Sequence, residues 1–201
     1  MMLTTHVLVG LALATPVLAV APELGVPALA GGAIGGAFPD ADMYTAHRRT
    51  LHFPVYFAAL AVPALGLAAV APTPATVALA LFLLAAAVHC RMDAFGGGLE
   101  LRPWKGTSDR AVYDHYRGRW RSPRRWIRYD GAPEDFAFGL ALGVPLWVVL
   151  DGPFDLLVAA ALAVSAVYAA VRKRLPDLAP VVAEVAPEPL ESYLPDESEE
   201  R

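Results

Sequence analysis

Four of the five histidines and three of the aspartates share one context: His6, His47, His52, His89, Asp40, Asp42 and Asp93 all stand at the ends of apolar stretches. Imidazole nitrogens with carboxylate oxygens are the ligand set of Zn²⁺, Mn²⁺ or Fe²⁺ centres. His89 and Asp93 are four apart, so they share a face if one helix carries both. Pro39-Asp40-Ala41-Asp42 places two carboxylates within three residues beside a proline that fixes the turn. Together such groups suffice for one or two ions with water positions left open, the arrangement used for in-line hydrolysis. Asp42 is the candidate bridging carboxylate, a role histidine cannot fill, and His47 the candidate acid/base. Each residue also has a plainer reading. His6 is an ordinary interfacial histidine taken alone, and His47-Arg48-Arg49 reads most cheaply as anchoring charge.

What must position these residues is a set of six apolar stretches, roughly 7–21, 25–38, 53–71, 75–88, 136–150 and 154–171. All 16 basic residues lie in the segments after the second, fourth and sixth stretches, and the other three connections hold none. If all six stretches cross a bilayer, the positive-inside rule puts both termini in the cytoplasm. The candidate ligands then gather at the cytoplasmic ends of the helices. The expectation is an all-α, multi-pass cell-membrane protein with its metal site at those ends. Several stretches fall short of the roughly 20 residues a span needs. The glycine-rich 25–38 is the weakest, readable as a close-packed span, a re-entrant hairpin or a buried core helix.

The run ending Ala19-Val20-Ala21 resembles a signal-peptide cleavage site, but no Lys or Arg precedes it, so a retained first helix is expected. The single cysteine, Cys90, rules out an intrachain disulfide and reads as a packed thiol. Eight of the 20 acidic residues fall after 174, leaving 15 basic against 12 acidic residues in 1–174. A helical membrane domain over 1–174 and a disordered acidic tail over 175–201 are therefore expected.

The combination Thr5-His6, Gly36-Ala37-Phe38-Pro39-Asp40-Ala41-Asp42, His47-Arg48-x-x-x-His52 and His89-x-x-x-Asp93-Ala94-Phe95-Gly96-Gly97-Gly98 resembles a known family. It is the membrane-bound metal-dependent hydrolase family that includes the LexA-regulated inner-membrane hydrolase of bacteria, distantly similar to zinc-dependent phospholipase C. The resemblance covers roughly 1–104. It implies a metal centre, phosphoester hydrolysis, and His6, Asp40, Asp42, His52, His89 and Asp93 as metal-site residues, with His47 beside them. This chain departs from the family pattern at Met43, Arg49, Leu51 and Phe53. Hydroxyls that commonly orient ligands are lost there, with Thr50 as a possible substitute.

The loop 91–135 is dense in arginine, tryptophan and tyrosine, the composition of a segment at headgroup level. Its sharper reading is a lid that grips a substrate phosphate through Arg102, Arg117 or Arg119, with Arg48 a further substrate contact. His115 and the pair Glu134-Asp135 could add a base or a ligand. The leading expectation is a hydrolase holding a divalent transition metal, Zn first with Mn or Fe open, acting on a phospholipid-like phosphoester. The alternative is a non-enzymatic metal-stabilised membrane scaffold or a transporter-like protein. Nucleic acid is not expected as a partner.

Overall fold

The computed structural model describes residues 1–178 and is mostly helical. Six α-helices follow one another: α1 (Leu3–Val20), α2 (Gly25–Ala37), α3 (Tyr56–Val70), α4 (Pro74–Phe95), α5 (Pro133–Val149) and α6 (Pro153–Val171). Proline opens α4, α5 and α6, where its missing N–H costs nothing and its fixed φ suits the helix. Thr73 and Thr76 add a reciprocal capping box to α4. The acidic tail expected from 175 lies, beyond residue 178, outside the described residues.

Length separates the helices. Among the described residues only α1, α4 and α6, with 18, 22 and 19 residues, are long and apolar enough to cross a membrane. α3 is apolar but has 15 residues, α2 has 13 and α5 has 17, so six full crossings are not what the helices provide. At 1.5 Å per residue α2 spans only about 20 Å, against a hydrocarbon core of about 30 Å. By length and composition the three long helices point to a membrane protein. Large apolar side chains face outward from the bundle, among them Leu60, Val62, Trp147, Val148, Leu156 and Val167. A soluble monomer would not tolerate so much exposed apolar surface.

α1 is the central helix, packed on α2, α4, α5 and α6, with Leu8, Leu11 and Ala14 in a core shared with Leu29, Leu81, Leu146 and Val158. α2 is a buried spacer. Gly32 and Gly36 lie on the α1 backbone and Gly31 and Gly35 on the α4 backbone, so close that a Cβ at Gly32 would meet the Gly10 carbonyl oxygen. Such small residues let helix backbones approach where larger ones would hold them apart.

The connection after α4 departs from the all-helical expectation. An antiparallel hairpin pairs β1 (Val112–Asp114) with β2 (Arg119–Arg121), and Val112 faces Arg121. Buried Asp114 holds it: one oxygen accepts from the N–H groups of Tyr116 and Arg117, the other from the Arg121 guanidinium at 2.7 Å. Asp135, also buried, does the same for the start of α1. It accepts from the Met2 N–H, the Thr5 hydroxyl and the Gly131 N–H, tying the start of α1 to the first turn of α5.

Candidate metal centre

The chain brings the first turn of α1, the end of α2, the loop before α3 and the end of α4 to one place. Asp40, His52, His89 and Asp93 each offer a ligand atom there, all within 4.8 Å of one another. Asp93 Oδ2 lies 3.2 Å from His52 Nε2 and 3.4 Å from His89 Nε2, and Asp40 Oδ1 lies 3.3 Å from His89 Nε2. The i,i+4 spacing of His89 and Asp93 works as expected because α4 continues to Phe95. Three of the four are buried, while Asp40 retains about a tenth of its side-chain surface and opens onto a cavity.

The orientation of both imidazoles is set from behind. His89 Nδ1 donates to the Gly36 carbonyl at 2.7 Å, and His52 Nδ1 donates to Asp42 at 2.9 Å. Each ring in its neutral form then presents an Nε2 lone pair to the cluster, the arrangement by which protein metal ligands are fixed. The His89 Nε2 is buried and has no hydrogen-bond partner among the described residues. Two lone pairs and two carboxylates therefore face one another; the Met1 amino group at 2.9 Å and Arg48 at 3.4 Å answer part of this charge at Asp93 Oδ1, and protons on the rings or a cation would answer the rest. The donor set fits a transition ion: two imidazoles and two carboxylates at tetrahedral number.

Burial works to raise the carboxylates, but their imidazole neighbours outweigh it. The His89 ring brings the Asp40 pKa to about 2, and His47 and His52 hold Asp42 well below the ordinary carboxylate range. His52 moves the other way. Burial alone would lower it, but hydrogen bonds to Asp42 and Asp93 raise it.

The remaining predicted site residues take other places. Asp42 stands behind the cluster, not in it, and the expected bridging position is not where it sits. Its carboxylate accepts from His47 Nδ1, His52 Nδ1 and the backbone N–H groups of Arg48, Arg49 and Leu51. With five donors on two oxygens it organises the whole loop 42–52. His6 also stands outside the group of four, with Nε2 3.1 Å from Asp93 Oδ1 and its ring stacked on His89 at 3.7 Å. His47 is half-exposed beside the cavity. Arg48 is buried with a left-handed backbone (φ 58°), one guanidinium nitrogen on the Gly97 carbonyl and the other 3.4 Å from Asp93. Arg102 pairs with Asp177 at 3.1 Å and does not line the cavity. Thr50 does not replace the lost hydroxyls, since it bonds the Ala46 carbonyl. His115 is spent on the Arg49 carbonyl, and Glu134 on Arg128.

The cavity beside the cluster, about 320 Å³, was not visible in the sequence. Asp40, His47 and Arg48 line its inner end, and Leu3 and Val164 give it an apolar side. Asp130, Tyr168 and Arg172 form a linked group on its wall: Asp130 accepts from the Tyr168 hydroxyl and from Arg172 Nε at 2.8 Å. No signal in the sequence joined residues 38 and 42 positions apart. Comparison of the chain with protein families, with curated proteins and with solved structures returns no match.

Proposed function

We propose that this chain is a multi-pass membrane hydrolase whose cytoplasmic end holds one divalent transition ion, Zn²⁺ first, between Asp40, His52, His89 and Asp93. The observation that carries the reading is the convergence of acceptor atoms in that cluster, with both imidazoles oriented by hydrogen bonds at their far nitrogens. An ion held there supplies positive charge to a phosphoryl oxygen and acidifies water.

The chain's own residues then have separable roles. Arg48 neutralises part of the Asp93 charge and, like Arg172, presents a guanidinium at the cavity wall to a substrate phosphate. His47, aligned by Asp42 and open to the cavity, takes the proton from the attacking water. The apolar side at Leu3 and Val164 accommodates an acyl or prenyl portion, so the substrate class is an amphiphilic phosphoester. The distribution of basic residues supports the cytoplasmic placement.

A metal-stabilised scaffold is the second reading, favoured by one observation: four protein donors suffice to close a tetrahedral shell. Elemental analysis of the detergent-purified protein, together with release of phosphate from short-chain phosphatidic acid or of phosphocholine from short-chain phosphatidylcholine, separates the two. The hydrolase reading expects about one equivalent of metal, with turnover lost in His89→Ala and strongly reduced in His47→Ala. Metal retained without turnover on any phosphoester selects the scaffold. No metal after reconstitution with Zn²⁺ and Mn²⁺ overturns both.

A further inference from the structure

A second concavity, about 350 Å³, lies away from the metal centre, between the last turn of α4 and the hairpin. Its lining brings together Arg91, Arg117, Arg119, Arg121 and Arg124, with Asp114 the one carboxylate among them. Asp114 is fully committed. Besides two backbone N–H groups it holds Arg121 through two bonds and Arg117 at 3.5 Å. Arg91, Arg119 and Arg124 form no ion pair among the described residues, and five arginines against one carboxylate leave the concavity strongly positive. Two of these three guanidiniums are held in place by one ring: Arg91 and Arg124 lie 5.3 and 5.1 Å from the centre of Phe95. Arg121 is fixed by Asp114, so part of the charge is preorganised.

The position of the concavity narrows its ligand. α4 is one of the helices able to cross a membrane, and Arg91 stands about one turn before its last residue, Phe95, so these arginines sit near the end of a span, where lipid headgroups lie. Trp126, largely exposed and tilted against the Phe95 ring, adds the amphipathic ring found at that level. We propose that this concavity is a binding site for a phosphate-bearing anion, distinct from the metal centre. Planar guanidiniums grip phosphate oxygens two at a time, which selects phosphate over a diffuse anionic surface.

The test titrates the full chain in mild detergent with phosphatidylglycerol in mixed micelles, with phosphatidylcholine as baseline and inorganic pyrophosphate as the soluble arm. Bound ligand per chain is read by native mass spectrometry. Arg119→Gln with Arg124→Gln is expected to weaken phosphate binding about tenfold or more. A control pair of equal charge change, Lys105→Gln with Arg174→Gln, is expected to leave it unchanged. Binding of phosphatidylglycerol that pyrophosphate does not displace assigns a lipid headgroup, and displacement assigns a free phosphate. Binding that survives the Arg pair belongs to the metal centre and overturns the proposal. So does an absence of preference over phosphatidylcholine, or an equal loss in the control pair. Should the Arg pair melt early, Arg91→Gln, which leaves the hairpin untouched, is read in its place with the same criteria.

Discussion

The carbonyl oxygen of Gly36 accepts a 2.7 Å hydrogen bond from Nδ1 of His89, so the last turn of α2 sets the orientation of an imidazole on α4. The same glycine lies against α1, where a Cβ would stand 2.4 Å from the His6 carbonyl oxygen. Backbone packing and metal-site geometry thus meet at one residue.

Gly36→Ala is therefore expected to push α1 and α2 apart and tilt His89. An overpacking cost of about 1–3 kcal/mol is the ordinary range, and metal content should fall with it. Gly66→Ala is the matched control, since a Cβ there meets nothing within 4 Å. It should be neutral or stabilising by up to about 1 kcal/mol, as for any glycine replaced inside a helix. Melting temperature and metal per chain, measured on both variants, check the pair.

Asp42→Asn should weaken metal binding without abolishing it. An amide cannot accept from five donors, so His52 loses its fixed tautomer and the loop 42–52 loosens. A loss of roughly 10–100-fold in affinity is typical when a partner behind a ligand is removed. Asp93→Asn, which alters the cluster itself, should remove the metal altogether. Competition with a chromophoric chelator distinguishes the two losses. Equal affinity in Asp42→Asn and wild type would refute the role given to Asp42.

Chelation should destabilise the protein, because an ion that binds only the folded chain stabilises it by mass action. At free metal about 1,000 times Kd the contribution is about 4 kcal/mol. The melting temperature of wild type is expected to drop on treatment with a strong chelator and to return with Zn²⁺. His89→Ala should melt low in both conditions. A wild-type melting temperature indifferent to chelator and to added metal would count against the centre.

The hairpin carries its own pH dependence. Burial works to raise Asp114, but the Arg121 guanidinium and the Arg117 N–H outweigh it and lower its pKa. A carboxylate depressed in the folded state contributes stability above its unfolded pKa, about 4, and loses that contribution as pH falls through the folded value. Protection of the Tyr116 and Arg117 amides, corrected for intrinsic exchange, should thus hold at neutral pH and erode only in the acid range. Asp114→Asn should lower protection at neutral pH and flatten the profile.

Which parts were legible in the sequence follows from what each depends on. The His89…Asp93 pair and Asp40 could be read directly, because helical spacing and the Pro39 turn are local features. The gathering of ligands at one end followed from apolar stretches that alternate direction. The role of Asp42 could not be read, since three of its five donors are backbone N–H groups that any sequence supplies. The glycines of 25–38 indicated close packing but left its partner open, and only the fold shows them resting on α1 and α4. Six apolar stretches overstated the crossings because composition reports burial in protein and in lipid alike. Arg48 and Arg102 looked equivalent as cations, and tertiary contacts alone placed one on Asp93 and the other on Asp177.

Gly31 and Gly35 touch α4 while Gly32 and Gly36 touch α1, so adjacent glycines about 100° apart on α2 serve two neighbours at once. At this level the separation of α1 from α4 is gauged by the thickness of a bare polypeptide backbone. Ordinary exchange of core side chains cannot retune the 3.7 Å stacking of His6 on His89. The protein sets the helix spacing behind that stack with the one dimension that no rotamer can change.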